Sequence, residues 1–180
     1  MTDTTFKRLD ASNWLDPDPV HEAFGEINLA TGERREVTGD RWARQILSIN
    51  LTPEVPREVR DLWEIARGVL LYGWFFYPLY ALGDEQLHRV ADAAVLFAYR
   101  KHGGPEPKGP TTFHRRLAWL FEHGFIDKSL ETRWSAIREL RNLGSHVSAV
   151  HIAMPMDTLR TLRILAEEID ALFGVPATGT

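Results

Sequence analysis

The residues of this 180-residue chain with the best claim to chemistry lie in one stretch, Arg138-Glu139-Leu140-Arg141-Asn142-Leu143-Gly144-Ser145-His146. An imidazole with a pKa near 6.5 takes up or returns a proton at neutral pH. A guanidinium stays charged and grips two oxygens of a carboxylate or phosphate at once. An Arg–Asn–His set therefore suits proton transfer at a place where negative charge develops. On a helix Arg138, Asn142 and His146 are four apart and share a face. Arg141 precedes His146 by five residues, about 140° away around a straight helix. The two meet over one substrate only if the helix ends between them, as Gly144 allows, or if a second subunit supplies one of them. A structural use of the same residues stays open: Arg141 capping the last carbonyls of its own helix, and His146 a hydrogen-bonded core histidine. With 17 Arg and 7 His in the chain, chance alone often produces such a pair, so its surroundings must carry the argument.

Those surroundings exclude several other chemistries. There is no cysteine, so disulfides and thiolate metal sites are ruled out. No His-x-x-x-His pair occurs, and His146 and His151 are five apart, the wrong face for a helical ligand pair. A P-loop, a dinucleotide-binding fingerprint and a Gly-x-Ser-x-Gly elbow are all missing. Neither a metal nor a cofactor is expected. Glu167 and Glu168 are adjacent on the last expected helix and read as solvated.

Charge is unevenly distributed. The chain carries a net −4, yet residues 100–146 hold nine Lys and Arg against five Asp and Glu, together with four of the seven histidines. Solvated helix faces account for such a stretch, and so does a surface that faces phosphate.

The elements that must position these residues are mostly helical. Residues 1–56 read as an N-terminal extension. Asp16-Pro17-Asp18-Pro19 resists helix, and Ile27, Leu29 and Val37 flank a turn at residues 30–33, which predicts a short β-hairpin. Arg41 to Leu47 fits either a helical turn or a further strand. Thr52-Pro53-Glu54-Val55-Pro56 marks the boundary, and residues 57–174 read as an antiparallel bundle of four main helices plus a short one. The first is expected from Arg57 to about Leu82, and Asp84 is expected to cap the second, which ends at Arg100-Lys101-His102-Gly103. Thr111 or Thr112 opens a short helix ending near Gly124, and Asp127 or Ser129 opens the next. Pro155 begins the last, whose inward stripe is Leu159, Leu162, Ala166, Ile169 and Phe173. Residues 175–180 are a short tail. The 16 residues Gly68–Gly83 contain no charge, but a membrane-spanning helix needs roughly 20. They read as a core helix or an interface between subunits. A polar start without an apolar leader core fits a cytoplasmic protein.

Set in such a bundle, Arg141-Asn142-Leu143-Gly144-Ser145-His146 resembles the mark of the HEPN superfamily. These are small helical bundles that share Arg, four to six residues, then His, often with a polar residue after the Arg. Asn142 holds that place here, and the stretch falls near the junction of the last two main helices, as in that family. The resemblance covers roughly residues 57–173 and leaves the N-terminal extension out. It implies a metal-independent endoribonuclease acting as a homodimer, with two such sites facing each other across the interface. His146 would be the general base that takes the 2′-hydroxyl proton of RNA, Arg141 the phosphate clamp and Asn142 the residue that positions either. Arg138, Arg133, Arg115 and Arg116 would be further phosphate contacts. The family suggests toxin–antitoxin pairing or phage defence as settings, and a regulatory partner protein is compatible with both. It also contains members that bind partners or nucleic acid without cutting, so a non-catalytic binding or dimerisation module is the alternative.

Overall fold

The computed structural model describes residues 7–23, 25–27, 30–32, 34–105, 111–135, 137 and 154–174. In chain order the elements are a 3-10 turn at Pro19–Ala23, strands β1 (Gly25–Ile27) and β2 (Arg34–Glu36), and helices α1 (Gly39–Leu47), α2 (Arg57–Tyr72), α3 (Leu79–Lys101) and α4 (Phe113–Glu122). A second 3-10 turn at Lys128–Leu130 runs into helical residues 131–135, and α5 spans Pro155–Leu172. The molecule is mainly helical, a bundle in which α3 is the central element, packed against α2, α4 and α5. β1 and β2 pair antiparallel, with Gly25 opposite Glu36 and Ile27 opposite Arg34.

Local sequence explains most of the helix boundaries. Thr38 caps α1 and Thr112 caps α4, each side-chain oxygen accepting from the backbone N–H three residues on. Asp127 accepts from Ser129 N, and that hydrogen bond holds its carboxyl below the usual carboxylate range. Pro155 occupies the first turn of α5, where its missing N–H costs nothing. The stripes read from the sequence face inward: Leu87, Val90, Ala91, Ala94 and Ala98 on α3, and Leu159, Leu162, Ala166 and Ile169 on α5 are all buried.

Two expectations are corrected. The apolar run after Arg57 is not one helix to Leu82. α2 stops at Tyr72, and Gly73–Pro78 turn the chain back into α3. Pro78 has no N–H to continue an α2 ladder, and it fits the start of α3. Two features stabilise the turn. Asp18 accepts from Tyr77 N at 2.9 Å, and Gly73 lies so close to the Tyr80 ring that an added Cβ would meet it at 2.7 Å. Asp84 therefore sits inside α3 rather than at its cap, and its carboxylate accepts from the Thr158 hydroxyl at 3.4 Å, linking α3 to α5. The second correction concerns Glu168, which is 2% exposed rather than solvated.

The segment before α2 is tied to the bundle. Trp42 and Ile46 of α1 are fully buried, and the Trp42 indole N–H donates to Leu70 O at 3.1 Å. Leu70 lies in the last turn of α2, where carbonyls lack helical partners, so the indole fills a vacancy the helix end creates. Trp63 donates to Ile49 O at 3.3 Å in the same manner. Arg67, buried on α2, reaches Leu47 O at the end of α1, Asn50 Oδ1 and Glu64. Thr52 donates through both N and Oγ1 to Asp170 of α5.

Candidate functional site

Arg138, Arg141, Asn142 and His146 lie outside the described residues. What is described are the elements on either side of them in the chain. Helical residues 131–135 lead in, with Trp134 and Ile137 buried, and α5 leads out from Pro155. The three remaining expected phosphate contacts have different fates. Arg115 is exposed on α4. Arg116, next to it and hence about 100° around the helix, is 6% exposed and forms an ion pair with Asp92 of α3 at 2.8 Å. Arg133 donates to Glu168 Oε1 at 2.9 Å and lies 3.9 Å from Glu167 Oε2, which ties the helical residues 131–135 to α5. The hydrogen bond and charge of Glu168 raise the Arg133 pKa further above its already high value. Glu168 Oε2 is buried without a hydrogen-bond partner among the described residues.

A groove of about 330 Å³ opens between α4 and residues 128–135. Leu117, Phe121 and Trp134 contribute its apolar lining and His114, Glu122, Lys128, Glu131 and Ser135 polar groups. The indole N–H of Trp134 is buried and has no hydrogen-bond partner among the described residues. Among the described residues no three His, Asp or Glu side chains are placed to hold a metal ion.

Sequence reasoning missed an aromatic arrangement at the ends of α3 and α4. Both helices stop in the same way. After α3, Gly103 (φ 78°) donates to Arg100 O and Gly104 to Tyr99 O; after α4, Gly124 (φ 74°) donates to Phe121 O and Phe125 to Leu120 O. This is the paired 5→2 and 6→1 bonding of a Schellman end, which needs the left-handed conformation that glycine supplies. The two ends bring His102 onto Phe125 with ring centroids 4.0 Å apart, and Trp119 onto His123 at 4.2 Å. The sequence did carry a partial signal: Trp119 and His123 are four apart on one helix face. Nothing local to either helix end shows that the other end lies beside it.

Comparison with known proteins adds no relative: no family model, no curated protein and no solved structure matches the chain. No helix among the described residues is long and apolar enough to cross a membrane.

Proposed function

We propose that the chain is a metal-independent endoribonuclease of HEPN type, cleaving RNA by attack of a 2′-hydroxyl on the neighbouring phosphate. One observation carries the reading: Arg141-Asn142-Leu143-Gly144-Ser145-His146 stands in the sequence between the helical residues 131–135 and α5 of a mainly helical bundle. In this mechanism His146 withdraws the 2′-hydroxyl proton as the 2′-oxygen bonds to phosphorus, the bond from phosphorus to the 5′-oxygen breaks and that oxygen leaves as a hydroxyl protonated from solvent, while Arg141 neutralises the phosphoryl oxygens and Asn142 positions His146 or Arg141. Arg138 and the exposed Arg115 extend the grip on the strand. Arg116 and Arg133, already paired with carboxylates, would contribute only after exchanging those partners. Residues 1–56 form an extension with a β-hairpin appended to the HEPN-like unit, a role supported by the pairing of β1 with β2. The working form is a homodimer. Its support is the apolar surface of α2 and α3, where Ile65, Tyr72 and Leu82 are 53%, 59% and 42% exposed. The same surface favours the second reading, a non-catalytic HEPN-like binding or dimerisation module.

End-labelled RNA incubated with the protein in excess chelator tests the proposal, beside His146→Ala and Arg141→Ala proteins of verified fold. Cleavage that survives the chelator and leaves 2′,3′-cyclic phosphate ends is expected. It should vanish with His146→Ala and fall about 10²–10³-fold with Arg141→Ala. A folded dimer that leaves RNA intact would instead support the binding module.

A further inference from the structure

Four rings at the paired ends of α3 and α4 form a column for which the proposed cleavage chemistry has no use. His102 stacks on Phe125 (4.0 Å, 21° between planes), Phe125 on Trp119 (5.6 Å, 24°) and Trp119 on His123 (4.2 Å, 25°). The column is held in place. Tyr99 meets Trp119 edge-on at 5.0 Å, and its hydroxyl donates to Pro105 O at 2.7 Å. His123 Nδ1 donates to Trp119 O at 2.9 Å, which places the proton on Nδ1 and leaves Nε2 an acceptor in the neutral ring.

The column is also open to solvent. Phe125 is 41% exposed, His123 is exposed, and Trp119 and His102 are half-buried. Burying an aromatic ring is a large source of stability, so rings fixed in a stack yet left partly in water are available to a planar ligand. Cations flank the stack. Arg115 is exposed one helical turn before Trp119, and Arg100 and Lys101 are exposed beside His102. Lys101 is anchored by the Phe173 carbonyl at 3.2 Å and stands over its ring. Among the described residues the carboxylates at the same helix ends are Glu122 and Asp127, beside Arg100, Lys101 and Arg115.

Stacking rings and cations beside them are the two requirements for holding single-stranded nucleic acid without reading its sequence. We infer that this column is a base-stacking platform for a single strand, one base lying on the face of His123 turned away from Trp119 and Arg115 holding a phosphate further along the strand. The inference rests on the reading of the chain as a protein that acts on RNA, but it concerns strand binding by rings that have no part in the cleavage step.

Binding of fluorescently labelled twelve-residue oligouridylate and oligothymidylate to the full chain, followed by anisotropy, separates the two claims. The deoxy strand has no 2′-hydroxyl, so its binding is independent of cleavage. Both strands should bind. Phe125→Leu and His123→Ala should each weaken binding about five- to hundredfold, while Phe125→Tyr, which keeps the ring, restores it. Arg115→Ala should flatten the dependence of log affinity on log salt by about one unit, and Arg57→Ala on α2 should weaken binding less. Circular dichroism melts verify that each variant is folded. Wild-type protein that binds neither strand overturns the platform even if RNA is cleaved, and so does Phe125→Leu binding as tightly as wild type. Binding that follows the expected pattern upholds the platform even if the nuclease proposal fails.

Discussion

Trp42 and Trp63, between α1 and α2, contrast with Trp119 and Trp134, around α4. The first two are 1% exposed, and each gives its indole N–H to a backbone carbonyl that another element leaves open. Trp134 is as deeply buried, but its N–H finds no partner among the described residues. Trp119 is half-buried and sits in a column of rings that solvent reaches. In the first region aromatic residues close gaps in the backbone hydrogen bonding, which rigidifies it and leaves little for a ligand to take. Around α4 ring faces and cations remain available beside a groove, and that is where recognition of another molecule fits.

The largest expected effect breaks the first half of this comparison. Trp42→Ala should cost about 3–5 kcal/mol of stability, the usual range for deleting a buried aromatic side chain. Leaving Leu70 O without its donor adds to that loss. Urea denaturation measures it. A loss below about 1 kcal/mol would mean that α1 is not part of the cooperative core. Trp119→Ala should cost less stability than Trp42→Ala and should lower affinity for a single strand.

Neighbouring arginines sharpen the comparison next. Arg116 and Arg115 are consecutive on α4, one buried against Asp92 and the other in solvent. Arg116→Ala should destabilise by about 1–3 kcal/mol, chiefly through lost packing of its stem, because the half-exposed Asp92 can be rehydrated. Arg115→Ala should stay within about 0.5 kcal/mol of wild type, with its effect confined to binding. Equal stability losses would erase the distinction between a structural and a ligand-facing cation.

Much of this arrangement was legible in the sequence, and the parts that were not share a physical cause. The inward stripes of α3 and α5, the Thr112 cap and the glycine ends after Lys101 and Glu122 are local signals, and each stands where the sequence put it. The break after Tyr72 was hidden because apolar residues continue through the turn. What stabilises the turn is Asp18, 59 residues before Tyr77, and no window over the turn contains it. The burial of Glu168 was hidden likewise, since a carboxylate enters a core only beside a partner, and Arg133 lies 35 positions away. α1 was ambiguous because nine residues carry too little periodicity to decide between helix and strand. Of the candidate site, the chemistry of Arg141, Asn142 and His146 could be read from residue type alone. Their mutual geometry falls outside the described residues, and spacing does not encode it.

A smaller effect tests how tightly the N-terminal segment closes the α2–α3 turn. His21 stacks on Trp74 with ring centroids 4.3 Å apart, and its Nε2 lies 3.4 Å from Gly73 O. Burial lowers its pKa, opposed by the Gly73 carbonyl and the charge of Asp18, while Tyr77 and Tyr80 supply the surrounding rings. In the unfolded chain His21 titrates near pH 6.5. Above that value both states are neutral and the group contributes no pH dependence. Below it the unfolded state takes the proton first, so stability falls with pH until the lower folded pKa is reached. The slope from this one proton is at most about 1.4 kcal/mol per pH unit. His21→Gln should remove that part of the acid dependence in urea titrations between pH 7 and 5. An unchanged profile would mean that His21 is as accessible to protons folded as unfolded.

The smallest effect has the opposite sign, because the closure around this turn is incomplete at one atom. Tyr80 is fully buried between Trp42, Tyr77 and His21, and its hydroxyl has no hydrogen-bond partner among the described residues. That burial drives the phenol pKa far above its ordinary value, with the nearby Tyr77 and Asp18 adding to the rise, so the group stays neutral throughout the accessible pH range. A buried hydroxyl without a partner has lost its hydration and gained nothing, a deficit of about 1–3 kcal/mol set against what the ring contributes. Tyr80→Phe keeps the ring and its edge contacts while deleting the deficit, offset in part by the small cavity left behind. The expected outcome is stability equal to wild type or higher by up to about 1 kcal/mol, read from the urea midpoint at constant slope. A clear loss would mean that the hydroxyl bonds a group that this packing does not show.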